Sequence, residues 1–170
     1  MEKGVAHVLP GEGSKSLWVL GELVTYKITS EQTGGAYSLF EVVSQPGGGP
    51  PPHVQHREDE AFYVLEGEYE FLDESRTMRV GAGSLVYVSK GNLHTYKNVA
   101  DKPGRILVSK TPGGLHEWFF EEIGEEVQDK SKPPIPESLP GMGRIATIAA
   151  KYGIEIPSPP GWQADGKRPD

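Results

Sequence analysis

The stretch Gly47–Gly67, GGGPPPHVQHREDEAFYVLEG, decides how this chain is read. It gathers His53, His56 and Glu60, three of the few side chains here able to hold a metal. Three glycines and four prolines fill Pro46–Pro52. A run so poor in backbone donors cannot be a central strand, and it reads as a stiff connection that delivers His53. Glu60–Glu66 follows as a strand. Glu60, Phe62 and Val64 share one face, and Ala61, Tyr63 and Leu65 the other. The same alternation from His53 puts Gln55 on its face and sends His56 to the opposite one.

A second stretch, Gly83–Asn98 (GSLVYVSKGNLHTYKN), supplies His94, with Tyr96 and Asn98 on its face. If the two stretches face each other inside a barrel, His53, Gln55, Glu60 and His94 converge. Two imidazoles and a carboxylate form a nitrogen and oxygen donor set. With open positions it suits one divalent transition metal: Fe(II), Mn, Ni, Co or Zn. His56 and the run Arg57–Glu58–Asp59 read as a solvated turn between strands. His7 and His116 have no partner nearby in sequence and read as structural.

The chain around these stretches is built of short elements. Gly (22) and Pro (15) punctuate short apolar runs over 170 residues, a length suited to one domain. Val5–Leu9 and Leu17–Leu20 read as an N-terminal strand pair or arm, and Glu22–Thr29 and Ala36–Ser44 as strands. Gly67 is read as the pivot of a hairpin joining Glu60–Glu66 to Glu68–Asp73. Arg76–Val80 with Ser84–Val88, and His94–Val99 with Arg105–Lys110, read as two further pairs. Such even spacing indicates an all-β sandwich or barrel. Leu115–Ile123 and Glu137–Tyr152 are helical in composition, the latter stopping at Gly153. Lys130–Pro136 reads as a Pro-rich linker and Ser158–Asp170 as a fraying tail.

Composition excludes several classes. With no cysteine, disulfides, thiolate zinc sites and cysteine nucleophiles are absent. A net charge of −7 argues against nucleic-acid binding. The N-terminal residues lack the apolar run of a signal peptide, and no segment is long enough to span a bilayer. The expectation is a cytoplasmic protein with a small-molecule ligand, no nucleic-acid partner and no membrane partner.

Both stretches resemble the two motifs of the cupin superfamily. The first is Gly, five residues, His-x-His, three or four residues, Glu, six residues, Gly. Here stand Gly47, His53–Val54–Gln55, Glu60 and Gly67 at those spacings. The second is Gly, five residues, Pro-x-Gly, two residues, His, three residues, Asn, met by Gly83, Ser89–Lys90–Gly91, His94 and Asn98. The resemblance covers about residues 36–110. The C-terminal IAAKYGIEI and its prolines resemble, more loosely, single-domain cupins labelled quercetin-dioxygenase-like.

The resemblance implies a double-stranded β-helix, or jelly roll, over residues 1–112, with a short helical and Pro-rich extension over 113–170 packed on it. It implies a metal held by three histidines and a glutamate, so His53, Glu60 and His94 carry over. It also implies a dioxygenase acting on a small aromatic or enolic compound, with Glu60 as ligand and catalytic base. The alternatives are a ligand-binding cupin without catalysis and a metal-dependent isomerase or lyase. Gln55 stands where a histidine ligand is expected. It is a weak fourth ligand, or it leaves an extra open position, or a bulge turns His56 inward in its place; the first two need no added assumption.

Tyr26, Phe62, Phe71 and Tyr96 are the candidate pocket aromatics. Both faces of the Glu60 strand are apolar, so something covers its outer face: the N-terminal strands or a second subunit. Cupins of this kind commonly dimerise, and a homodimer is the expectation.

Overall fold

The computed structural model describes residues 5–73, 76–127, 129–131 and 141–157. In chain order these form β1 (Lys15–Val19), β2 (Glu22–Ile28), the single turn α1 (Ser30–Thr33), β3 (Ser38–Ser44), β4 (His53–Gln55), β5 (Asp59–Glu66) and β6 (Glu68–Asp73). There follow β7 (Arg76–Gly81), β8 (Leu85–Val88), β9 (Leu93–Asn98), β10 (Gly104–Thr111), α2 (Leu115–Ile123), β11 (Glu125–Glu126), α3 (Met142–Lys151) and β12 (Ile154–Glu155). Two antiparallel sheets face each other, ordered β11-β1-β2-β3-β10-β5-β8 and β12-β4-β9-β6-β7. This is the expected jelly roll. The start of the second helical stretch (137–140), most of the Pro-rich linker (132–136) and the C-terminal tail (158–170) lie outside the described residues. No helix among those described is long and apolar enough to cross a membrane.

Three of the expected hairpins are not formed. β5 pairs with β10 and β8, while β6 pairs with β9 and β7. Gly67 is therefore a corner between sheets, not a hairpin pivot. Its φ is 90°, and a Cβ at this position would stand 3.0 Å from Gly104 Cα, so only glycine fits without strain. β7 and β8 likewise lie in different sheets, as do β9 and β10. Adjacent segments cross because each needs a partner whose apolar face meets its own, and that partner is distant in sequence. Val5–Leu9 forms no strand and is exposed.

Direct cross-strand partners stack the barrel interior in layers. Lys110 lies opposite both Ser38 and Glu60, Val108 opposite Phe40 and Phe62, and Ile106 opposite Val42 and Val64. From the other sheet come His94, then Tyr96 opposite Phe71, then Asn98 opposite Tyr69. The middle layers are apolar and buried, and Phe62 packs edge-on to Phe71 and Tyr96 at 5.2 and 5.7 Å. Each such side chain contributes about 1.5–3 kcal/mol by leaving water. The polar layers therefore fall at the two ends of an apolar interior.

The C-terminal elements close one end. The Tyr26 hydroxyl donates to the Glu117 carbonyl at 3.1 Å, and the Glu117 carboxylate accepts from the Ser30 N–H and hydroxyl at 2.6 and 3.0 Å. β12 then adds to the outer edge of β4, Ile154 opposite Gln55. The N-terminal strands extend the larger sheet sideways and do not cover the outer face of β5. Tyr63, Leu65, Leu85 and Tyr87 stay exposed there.

Candidate metal centre

His53 is delivered by the Gly/Pro connection as expected. Gly49 is pressed against β9, where a Cβ would stand 1.9 Å from the Tyr96 carbonyl oxygen. That contact sets β4 beside β9 and puts His53 directly opposite His94. Glu60 enters from the facing sheet. His53, Glu60 and His94 are 8, 1 and 2% exposed, and their ligand atoms lie within 4.8 Å of one another.

Each imidazole is fixed by its far nitrogen. His53 Nδ1–H donates to the Pro51 carbonyl at 2.9 Å, and His94 Nδ1–H to the Asn92 carbonyl at 3.1 Å. That tautomer turns both Nε2 lone pairs inward. Burial favours the neutral rings, holding His94 below and His53 well below the usual histidine range. His94 Nε2 stands 2.5 Å, and His53 Nε2 4.0 Å, from Glu60 Oε2. Yet among the described residues no donor reaches His94 Nε2 or Glu60 Oε2, and Glu60 Oε1 meets only the Lys110 ammonium. Lone pairs turned on a buried carboxylate repel each other unless a cation lies between them. The donor set therefore fits a divalent transition metal of nitrogen and oxygen preference.

Three residues that sequence reading places elsewhere belong to this surrounding. Lys110 is buried and forms an ion pair with Glu60 Oε1; burial pushes its ammonium down to about 7, against the pull of Glu58. Glu58, expected in a solvated turn, is 1% exposed. It turns inward because α2 starts at Gly114 without a side-chain cap, and Glu58 Oε1 accepts the His116 N–H at 3.2 Å. His116, expected to be merely structural, donates from Nδ1 to Glu58 Oε2 at 2.7 Å. Burial pushes the His116 ring down to about 4, so it is neutral. Burial, the largest single influence, would raise the Glu58 carboxyl, but the His116 hydrogen bonds and the electrostatic pull of His116 and Lys110 together outweigh it, and the carboxyl sits below its usual range.

Gln55 is buried on the His53 face, as alternation requires. Its amide nitrogen lies 3.2 Å from His116 Nε2 and donates to it, because Nδ1 carries that ring's proton. The amide oxygen is what Gln55 keeps to offer. His56 points outward to Glu155 at 2.8 Å, and its backbone N–H is taken by the Gly153 carbonyl at 2.9 Å. No bulge turns it in.

A partly open cavity reaches from His53, Glu60, Lys110 and His116 past Phe62 and Phe120 to Tyr96 and Glu22. Of the expected pocket aromatics, Phe62 and Tyr96 line it. Phe71 is packed behind both, and Tyr26 is drawn away to Glu117, so these two are core.

Residues 40–110 match the Cupin_2 family, a cupin domain. Motifs, jelly roll and buried triad agree with that match: the chain carries a domain of the cupin superfamily. It is 30% identical over 139 residues to the probable germin-like protein subfamily 2 member 5 of Arabidopsis thaliana, covering 76% of this chain and 64% of that one. The chain spans about half the length of the germin-like relatives it matches, from 38 to 64%. Among solved structures, it is similar to KdgF from Halomonas sp. at a TM-score of 0.57 and 15% identity, covering 65% of this chain and 96% of that one. The Schizosaccharomyces pombe Cnp3 cupin domain gives 0.54 and 19%, covering 71% and 82%. These structural likenesses speak to the fold alone.

Proposed function

We propose that the domain holds one divalent transition metal through His53, Glu60 and His94 and acts on a small aromatic or enolic ligand in the cavity, by dioxygenation. The observation that carries this reading is the buried donor set lining the cavity: two inward imidazole lone pairs around a carboxylate oxygen, Glu60 Oε2, that the Lys110 pair on Oε1 leaves free. A metal bound there would supply Lewis acidity and a path for electrons to O₂. The remaining work falls to the chain. His53 and His94 are held in register by their Nδ1 bonds. Glu60 is the carboxylate assigned to take a proton from the ligand hydroxyl. Phe62 and Phe120 wall the cavity against water. Gln55 offers an amide oxygen, a weaker donor than imidazole, so the metal is held less tightly than by three histidines.

Metal analysis of untagged protein, followed by oxygen uptake with flavonols, tests this. Near-stoichiometric Fe, Mn, Ni or Co with flavonol-dependent oxygen consumption is expected. Metal-free protein that no divalent ion stabilises would overturn it.

Lys110 favours a second reading. Its ammonium already pairs Glu60 without any metal, which suits a cupin that only binds a small ligand. That reading expects ligand binding unchanged by chelator. In either case we propose that a second copy of the chain covers Tyr63, Leu85 and Tyr87, beside the open edge of β8.

A further inference from the structure

The end of the cavity opposite the triad carries a second polar group. Glu22, at the start of β2, is 7% exposed and lines the cavity. It accepts from the Ser44 hydroxyl and from the Tyr96 hydroxyl at 2.9 and 3.1 Å. Ser44 is the last residue of β3, whereas Ser38, opposite Lys110, is the first. The triad and Glu22 thus stand in the two outermost layers of the interior. The layers of Phe40, Phe62 and Val108, and of Val42, Val64 and Ile106, lie between them. The Phe62 ring bridges the gap, 6.1 Å from the His94 ring and 5.7 Å from that of Tyr96.

A carboxylate is an expensive way to bind two hydroxyls inside a barrel, since burying it costs more than the bonds return. Burial pushes the Glu22 carboxyl up to about 7, a measure of that cost. Two donors also leave acceptor sites on its two oxygens free. We propose that Glu22, supported by Tyr96 and Ser44, is a specificity site for a hydroxyl or amino group on the far end of the ligand. This rests on the triad reading above and sharpens it. The ligand class is a molecule of one or two aromatic rings, with a metal-binding oxygen pair at one end and a hydrogen-bond donor at the other. A donor meeting Glu22 is matched, whereas a bare ring end leaves the carboxylate facing hydrocarbon.

Two probe pairs of different length test the proposal on metal-loaded protein, by calorimetric titration. They are benzohydroxamate against 4-hydroxybenzohydroxamate, and 3-hydroxyflavone against 3,4′-dihydroxyflavone. The far hydroxyl is expected to tighten binding about tenfold in at least one pair. Glu22→Leu should abolish that preference and bind the unsubstituted probe at least as tightly as wild type does, since no carboxylate then faces the bare ring. Glu22→Gln, which keeps the shape and one acceptor, should restore part of it and serves if the leucine variant does not fold. Binding of both members of both pairs with equal affinity overturns the Glu22 assignment alone. Failure of the loaded protein to bind any of the four probes overturns the triad reading and this one with it.

Discussion

Glu60 presents its two oxygens to two different partners: Oε2 faces His94 Nε2 at 2.5 Å, and Oε1 faces the Lys110 ammonium. One carboxylate thus joins the candidate metal position to a buried lysine. Both partners enter through strand pairing, Lys110 directly opposite Glu60 and His94 directly opposite His53. The chemistry of the site turns on which cation Glu60 serves.

Lys110→Met is the sharpest probe of that division. In metal-free protein it leaves Glu60 buried without a counter-ion and should cost about 3–5 kcal/mol. Saturating divalent metal should recover most of the loss. Thermal melts with chelator and with each of Mn, Fe, Co, Ni and Zn provide the check. A variant as stable as wild type in chelator would show that Lys110 does not neutralise Glu60.

Gln55→His should raise metal affinity by about tenfold or more, since imidazole is the better donor to these ions. The His116 bond to residue 55 can survive, because an imidazole N–H can replace the amide donor. Competition with a chelating dye measures the change. An unaltered affinity would mean that residue 55 does not reach the metal.

Acid should destabilise the metal-free protein. His53, His94 and His116 all have folded-state values below 6.5, and His116 lies at about 4. As pH falls below 6.5, the unfolded chain gains protons that the folded chain refuses, so stability drops. His116 alone contributes on the order of 3 kcal/mol by the time pH reaches 4. Glu22, raised to about 7, opposes this by one proton between pH 7 and 4.5. Three groups outweigh one, so the midpoint of thermal unfolding should fall steadily from pH 6.5 to 4.5. A flat profile would place the three rings in water.

Gly49→Ala should disrupt the centre from outside it. The added Cβ meets the Tyr96 carbonyl, a backbone atom that cannot swing away. Stability should fall by about 2 kcal/mol or more, and metal affinity with it, because β4 can no longer lie against β9. Denaturant melts and metal titration report the two effects separately.

Leu85→Lys and Tyr87→Lys, placed on the exposed outer face, should convert a dimer to a monomer while leaving the fold intact. Sedimentation equilibrium reads this directly. A wild-type chain that sediments as a monomer would contradict the proposed pairing of copies.

The residues of the centre are largely legible in the sequence, because motif spacing and strand alternation are both local. Together they put His53, Gln55, Glu60 and His94 on inward faces and His56 outside. The strand pairing is not legible. Gly67 and the turns after β7 and β9 look like hairpins locally, and only contact between distant faces makes them corners. His116 escapes a sequence reading because it lies 61 residues from Gln55 and carries no spacing signal. Glu58 escapes it because the capping of α2 by a residue of the distant β4–β5 connection has no sequence mark. Lys110 does leave a signal, since Ile106, Val108 and Lys110 alternate inward along β10. A lysine on that face contradicts an apolar core unless an anion awaits it.

Metal stoichiometry of purified, untagged protein is the most direct test, made on wild type alongside His53→Ala, Glu60→Gln and His94→Ala. About one divalent transition ion per chain is expected in wild type. Each variant should lose at least ~10-fold in affinity, as removal of a ligand costs no less than removal of its supporting partner. Wild-type protein that binds none of these ions, or variants that bind them as wild type does, would contradict the account at its centre.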